Sequence, residues 1–144
     1  VHESDFTKKI VVADADALIA LVLENDPHHK KAIAIVDFLA KHGVTIIFPS
    51  TVFPEAITTL KRAFNQPEKA GLINRQYQEG AFHVQYITPE IMLRASKLFA
   101  ETVSKQNTFF DALVAATAEI VKADAIFSFD KWYMKLGFKL ISVS

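Results

Sequence analysis

The stretch IVVADADALIALVL, residues 10–23, joins a buried strand directly to an apolar helix. Its first four residues are apolar and mostly β-branched, which predicts a strand that ends at Asp14. Residues 17–23 form a helical run, and the sequence ENDP at 24–27 breaks it. A strand followed at once by a helix is typical of an α/β domain.

The same alternation continues outward from this stretch to the end of the chain. Thr88 and Pro89 mark one helix start, a good N-cap residue followed by proline at the first helical position. We predict further strands at 44–48, 82–87, 125–129 and 138–143. We predict further helices at 28–42, 50–64, 67–80, from 89 onward, 108–122 and 131–136. This order predicts one three-layer α/β/α domain over residues 1–144, with a central, mostly parallel sheet of about five strands.

Composition narrows the class of protein. The chain has no cysteine, which excludes disulfides and thiolate metal sites. Its longest unbroken apolar run, 17–23, is too short to span a bilayer, so we expect a cytoplasmic protein with no membrane segment. The 16 basic and 16 acidic residues give no net charge, which argues against a protein whose whole surface binds nucleic acid.

Four carboxylates each interrupt or close an apolar stretch. They are Asp14 in 10–23, Glu55 in 43–60, Asp111 in 106–118 and Asp130 directly after 125–129. A carboxylate in such surroundings costs several kcal/mol of desolvation unless a cation or hydrogen-bond donors compensate it. Asp14 and Asp130 both follow a predicted strand, and ligands of parallel sheets bind at that edge. A shared cation would compensate all four acids at once.

Each acid also has a structural interpretation that the sequence leaves open. Asp14 and Asp130 stand where they can cap the helix that follows, and Asp111 comes three residues after Thr108, as in a capping box. Glu55 stands near a helix start, where the helix dipole favours an acid. We interpret Asp16 in the same way and leave it outside the set of four.

The four acids together indicate chemistry on phosphodiesters. Mg²⁺ and Mn²⁺ prefer carboxylate oxygens and retain several waters. Such ions activate a water and stabilise the leaving oxygen when a phosphodiester is hydrolysed. The sequence contains no cysteine nucleophile, G-x-S-x-G elbow, Walker loop or H-E-x-x-H motif that would indicate another reaction.

Four segments in this order resemble the PIN domain, and most of all its small prokaryotic members such as the VapC-like toxins. They are 11–21, 49–60, 108–118 and 123–130. The resemblance implies a Mg²⁺- or Mn²⁺-dependent endoribonuclease that cleaves single-stranded RNA. It places Asp14, Glu55, Asp111 and Asp130 at the family's four acidic positions, as catalytic residues and metal ligands. It also implies a symmetric homodimer and, for a toxin, an antitoxin protein as partner.

Some positions near the acids are matched and others depart from the family's pattern. Ser128 matches a position where the family often has Thr or Ser, and a hydroxyl there can donate to a carboxylate ligand. Ala15 stands where the family commonly has Thr or Ser, and Asp16 stands where it commonly has Ser or Asn. Phe129 replaces a residue that is usually polar. Trp132 stands at a usually polar position. We favour a buried Trp132 over an exposed one that would stack on a base.

Two other functions remain open on the sequence alone. A haloacid-dehalogenase-type phosphatase would also begin with a strand and a D-x-D, with Asp14 as covalent nucleophile. That interpretation leaves Glu55 and Asp111 unexplained. The second alternative is a PIN-fold module that binds RNA or protein without catalysis, which loss of an acid would favour; none of the four is lost.

Overall fold

The computed structural model describes residues 6–142, in which four strands alternate with seven helices. The strands are β1 (Ile10–Ala13), β2 (Thr45–Pro49), β3 (His83–Gln85) and β4 (Ala125–Phe127). The helices are α1 (Ala15–Val22), α2 (His29–Lys41), α3 (Val52–Arg62), α4 (Pro67–Gln78), α5 (Pro89–Glu101), α6 (Phe109–Ile120) and α7 (Trp132–Lys135). The predicted α/β fold class is confirmed.

The four strands form one parallel sheet in the order β3-β2-β1-β4. β1 is central: its Val12 pairs with Ile47 of β2 on one side and with Ile126 of β4 on the other. The chain leaves β1 towards β2 and β3 and later returns to the opposite side of β1 as β4. The order of strands therefore switches between β1 and β4, and a crevice opens there at the carboxyl edge of a parallel sheet.

Helices cover both faces of the sheet. Crossovers between parallel strands follow a right-handed rule, which puts the helices between β1 and β3 on one face and those between β3 and β4 on the other, because the two connections run in opposite directions. α6 packs against β1, β2 and β4, and α5 packs on α6. All residues from Ala112 to Ala118 of α6 are buried, which agrees with its nearly all-apolar sequence. Within residues 6–142, no helix is long and apolar enough to cross a membrane.

The predicted fifth strand is reduced to a single bridge. We predicted a strand at 138–143, but only Leu140 forms a parallel bridge, with Ile126 of β4. The amide N–H of Ile126 donates to the carbonyl of Lys139 at 2.8 Å, and that of Ile141 donates to Ile126 at 3.1 Å. Residue 143 lies outside the described residues. The segment thus pairs with the edge strand β4 at one residue only, and β4, with three residues, offers little backbone for further pairing.

Asp124, just before β4, anchors the residues that lead into β1 to the start of β4. Its Oδ1 accepts hydrogen bonds from the backbone N–H groups of Thr7 and Lys8 and from the Thr7 hydroxyl, and its Oδ2 accepts from the N–H of Ile10, all at 3.0–3.1 Å. Partial burial raises the pKa of Asp124, but these hydrogen bonds outweigh it and hold the pKa below its ordinary value of 3.8.

We expect Asp124→Asn to lower the free energy of unfolding at pH 7 by about 1–2 kcal/mol, because an amide nitrogen would face the N–H of Ile10. The folded pKa lies below the unfolded one, so this stabilisation is complete above the unfolded pKa and is lost as pH falls through the folded pKa. Urea unfolding from neutral pH to about pH 3 measures it. Asp37→Asn, at an exposed acid of α2, is the control; equal losses in both variants would contradict the anchoring role.

Candidate functional site

Asp14 lies at the C-terminal end of β1 and is buried, with 5% of its surface exposed. It caps α1, because its Oδ1 accepts from the N–H of Ala15 at 2.6 Å. Its Oδ2 accepts from the hydroxyl of Tyr133, also at 2.6 Å. Burial raises the pKa of Asp14 well above its ordinary value, and the nearby Asp16 raises it further, against the Tyr133 hydrogen bond.

Tyr133 itself is completely buried beneath this carboxylate. Burial and the charge of Asp14 raise the pKa of the Tyr133 phenol well above its ordinary value. The phenol therefore stays protonated and donates to Asp14, which fixes the direction of the carboxylate. The preceding Trp132 is buried at 8% exposure, as we favoured, and its ring packs edge-on against Tyr133 at 5.2 Å between centroids.

Asp16 stands in the first turn of α1, as interpreted from the sequence, and its side chain reaches across to the end of β4. Its Oδ2 accepts from the Ser128 hydroxyl at 2.9 Å and from the Phe129 N–H at 2.8 Å. Its Oδ1 is buried and has no hydrogen-bond partner among the described residues. Burial raises the pKa of Asp16, opposed by these two donors and raised further by Asp130.

Glu55 lies in the first turn of α3, and its half-buried side chain points towards the same acids. Its Oε1 is buried without a hydrogen-bond partner among the described residues. Burial, followed by the charges of Asp111 and Asp16, raises the pKa of Glu55 to about 7. The favourable dipole at the start of α3 does not offset this burial and repulsion, and Glu55 makes no capping hydrogen bond.

Asp111 and Asp130 are held together by one amide. Asn107 donates from its Nδ2 to Asp111 Oδ2 at 3.2 Å and to Asp130 Oδ2 at 2.9 Å. The N–H of Thr108 also donates to Asp111 Oδ2 at 2.9 Å, the acidic half of the capping box at the start of α6. Burial raises the pKa of Asp111, opposed first by Thr108 and Asn107 and raised further by Asp130.

The sequence left open that Asp130 is the N-cap of the helix that follows, but in the structure Lys131 is the N-cap of α7, one residue after Asp130. The Oδ1 of Asp130 accepts from the N–H of Trp132 at 2.9 Å, at the start of α7. Its own N–H donates to the Ser128 hydroxyl at 3.1 Å. Ser128 therefore joins two acids, because the same hydroxyl donates to Asp16. The structural and the functional interpretations of these acids are compatible, because a carboxylate that accepts a hydrogen bond at a helix start can also face a shared site.

These side chains line one small cavity of about 240 Å³, which we call the acid cavity. Five carboxylates face it, with two apolar residues and Thr59, and no lysine, arginine or histidine. The five acids are Asp14, Asp16, Glu55, Asp111 and Asp130. The structure thus brings together all four acids singled out from the sequence, and it adds Asp16.

The donor set fits a hard divalent cation. Two buried carboxylate oxygens without partners, on Asp16 and Glu55, would gain a partner from a cation. Among residues 6–142, no three aspartate, glutamate or histidine side chains converge closely enough to hold an ion as they stand. Internal donors hold several of these carboxylates, and like charges repel one another in a metal-free cavity. Mg²⁺ also keeps several waters, so fewer direct protein ligands suffice.

Two residues of the site were not singled out from the sequence for a role there. Asn107 precedes Asp111 by one helical turn, and a polar residue just before a helix is usually read as part of its cap. Tyr133 lies in α7, and its contact with Asp14 spans 119 residues of chain. The one signal in the sequence is the hydroxyl group of Tyr133, which stands between the apolar residues Trp132 and Met134.

Comparison with known proteins gives a family and a fold. No curated protein matches the sequence. The VapC20 toxin of Mycobacterium tuberculosis has a similar structure, with a TM-score of 0.81 and 17% identity over 92% of this chain and 99% of that chain. FitAcB of Neisseria gonorrhoeae aligns with a TM-score of 0.67 and 14% identity, over 92% of this chain and 96% of that chain.

A third similar structure is VapBC2 of Rickettsia felis, solved with a DNA fragment from its promoter. Its TM-score is 0.67 and its identity 13%, over 94% of this chain and 99% of that chain. At such identities these similarities establish the fold alone. The family model described as PIN domain matches residues 11–139, which include all of the sheet except Ile10 of β1 and all five acids. The chain therefore belongs to the PIN domain family.

Proposed function

We propose that this protein is a divalent-metal-dependent endoribonuclease that hydrolyses phosphodiesters of single-stranded RNA. The observation that carries the proposal is the acid cavity. Five carboxylates from four stretches of chain line it with no basic residue among them, at the carboxyl edge of a parallel sheet. Such a cluster is costly to bury unless it binds cations, and its position is the usual ligand site of this architecture.

Asp14, Glu55, Asp111 and Asp130 would hold Mg²⁺ or Mn²⁺, and Asp16 adds a fifth carboxylate to the same cavity. When bound, such a cation lowers the pKa of a water and neutralises charge on the phosphate and the leaving oxygen. The chain supplies the orientation of the ligands.

Three donors provide that orientation. Tyr133 fixes Asp14, the Asn107 amide fixes Asp111 relative to Asp130, and Ser128 fixes Asp16. Ser128 was predicted to donate to one of the four acids; in the structure its hydroxyl donates to Asp16 and accepts from the N–H of Asp130. Holding metal ligands by such outer contacts is a general requirement of metal sites.

We propose that the protein is a toxin of the cytoplasm, with an antitoxin protein as its partner. We propose further that it consists of one domain and forms a homodimer. The support is similarity of fold: VapC20 is described as a toxin that cleaves the sarcin-ricin loop, and a toxin-antitoxin complex of Klebsiella pneumoniae is another structural relative. The alternative within the family is a module that binds RNA without cutting it. The presence of all five acids in one cavity favours the enzyme.

The direct test is incubation of the purified protein with three labelled oligonucleotides in Mg²⁺ and in Mn²⁺. We expect cleavage of the single-stranded RNA, and little or none of the matching duplex RNA or single-stranded DNA. Gel analysis of internal fragments separates endonuclease from exonuclease activity. Binding of the RNA without cleavage in either metal would favour the non-catalytic module. Hydrolysis of a phosphomonoester through an acyl-phosphate intermediate on Asp14 would favour the phosphatase instead.

A further inference from the structure

A second cavity, of about 430 Å³, is lined by residues of the segment 128–131, which also contributes Asp130 to the acid cavity. It lies between the beginning of α2 and the end of β4, and we call it the basic cavity. Its wall includes His28, Lys31, Phe129, Lys131, Met134 and Leu140. No acidic residue lines it, whereas the acid cavity has no basic residue. The two cavities therefore present opposite charges to a ligand that spans them.

The walls of the basic cavity suit a nucleotide. The rings of His28 and Phe129 stack on each other, with centroids 4.2 Å apart and planes 4° from parallel, and form an aromatic wall. Further apolar side chains complete the surface that a base would meet. Lys31 and Lys131 are exposed, and neither forms an ion pair with another residue of 6–142. Their ammonium groups are available to a phosphate.

One short segment of chain links the two cavities. Ser128 and Phe129 line the basic cavity and donate hydrogen bonds to Asp16, which lines the acid cavity. Asp130 lines the acid cavity and the next residue, Lys131, lines the basic one. Their Cα atoms are only about 3.8 Å apart, as in any trans peptide. An RNA strand whose phosphate lies at the acids would therefore reach the basic cavity by passing this segment.

We propose that the basic cavity is a subsite for a nucleotide of the RNA substrate adjacent to the cleaved phosphodiester. The base packs against the aromatic wall, and Lys31 and Lys131 each bind one of the flanking phosphates. The inference rests on the proposed function, because the acid cavity must hold the scissile phosphate. It adds the position and the chemistry of substrate binding beyond the acids.

The test measures binding of a fluorescein-labelled 12-nucleotide single-stranded RNA by anisotropy. Every protein carries Asp111→Asn, so that the RNA stays intact, and Mg²⁺ is present. Lys31→Gln and Lys131→Gln remove one phosphate contact each, while Lys30→Gln removes a neighbouring exposed charge of α2 that does not line the cavity. For single strands, each lost contact lowers the salt slope by about 0.7, or roughly five-fold in affinity at 0.1 M salt.

We expect Lys31→Gln and Lys131→Gln each to weaken binding about five-fold and together about 25-fold, with the slope reduced by about 1.4. Phe129→Leu should weaken binding by about five-fold or more at an unchanged salt slope, because stacking involves no counterions. Equal effects of Lys30→Gln and Lys31→Gln would show diffuse attraction and overturn the subsite. So would an unchanged affinity of the double lysine variant.

The outcome also separates this inference from the proposed function. If the wild-type protein and the double lysine variant, both with Asp111 restored, cleave RNA with the same KM, the nuclease stands and the subsite is wrong. If the wild-type protein neither cleaves nor binds the RNA, the proposed function fails, and the subsite fails with it.

Discussion

Asp111→Asn is expected to lower the rate of RNA cleavage by roughly 100-fold or more while the fold stays intact. The amide oxygen can still accept from the N–H of Thr108, so the start of α6 keeps its cap. The negative charge that would bind the cation is lost, and losses of this size are typical when one electrostatic group of an active site is removed. Single-turnover cleavage at saturating Mn²⁺ measures the effect.

Asp14→Asn should behave in the same way, because it too keeps an oxygen for the N–H of Ala15. Both variants should unfold at the same temperature as the metal-free parent or slightly higher, since repulsion among clustered acids is relieved. Asp37→Asn, at an exposed acid of α2, should keep full activity. A well-folded Asp111→Asn protein that cuts RNA as fast as the parent would exclude the acid cavity as the site of cleavage.

Removal of divalent cations with EDTA is expected to abolish cleavage and to lower the melting temperature measured in Mg²⁺. A ligand that binds only the folded state at 100 times its Kd adds about 2.7 kcal/mol to stability. For a domain of this size that corresponds to roughly 5–10 °C in melting temperature. Differential scanning fluorimetry with increasing Mg²⁺ or Mn²⁺ measures the shift.

The origin of that shift can be localised with one pair of variants. Glu55→Gln should raise the melting temperature of the metal-free protein, because the pKa of Glu55 is raised to about 7 by burial and by neighbouring acids. It should also reduce the shift produced by Mg²⁺. Glu79→Gln changes an exposed acid outside the acid cavity and should do neither. The same Mg²⁺ shift in both variants would place the cation elsewhere on the protein.

The fold was largely predictable because its signals are local. Strand and helix follow one another within residues 10–23, and the Thr88-Pro89 start was located to the residue: Thr88 accepts from the N–H of Ile91, and α5 begins at Pro89. The segment 138–143 was harder, because an apolar alternating stretch does not show how much of it a three-residue neighbour such as β4 can pair with.

The site was predictable where burial leaves a mark in the sequence. Asp14, Glu55 and Asp111 are each conspicuous as charges in apolar stretches, and the structure places them with Asp130 around one cavity. The inclusion of Asp16 could not be predicted, because an acid in a first helical turn is common. Its contact with Ser128 joins residues 112 positions apart in the sequence, and no local pattern predicts a contact over such a separation.

The dual contacts of the acids govern how an inactive form of this protein should be prepared for trapping complexes with RNA or with an antitoxin. Alanine at position 14 would remove the cap of α1 and leave the buried Tyr133 hydroxyl without an acceptor. Such losses typically cost 1–3 kcal/mol each. An alanine variant would therefore confuse impaired folding with impaired chemistry. Asparagine keeps an acceptor for the N–H of Ala15 and places an amide that can donate to the Tyr133 oxygen, so it disturbs the site less than alanine and is the more suitable trap.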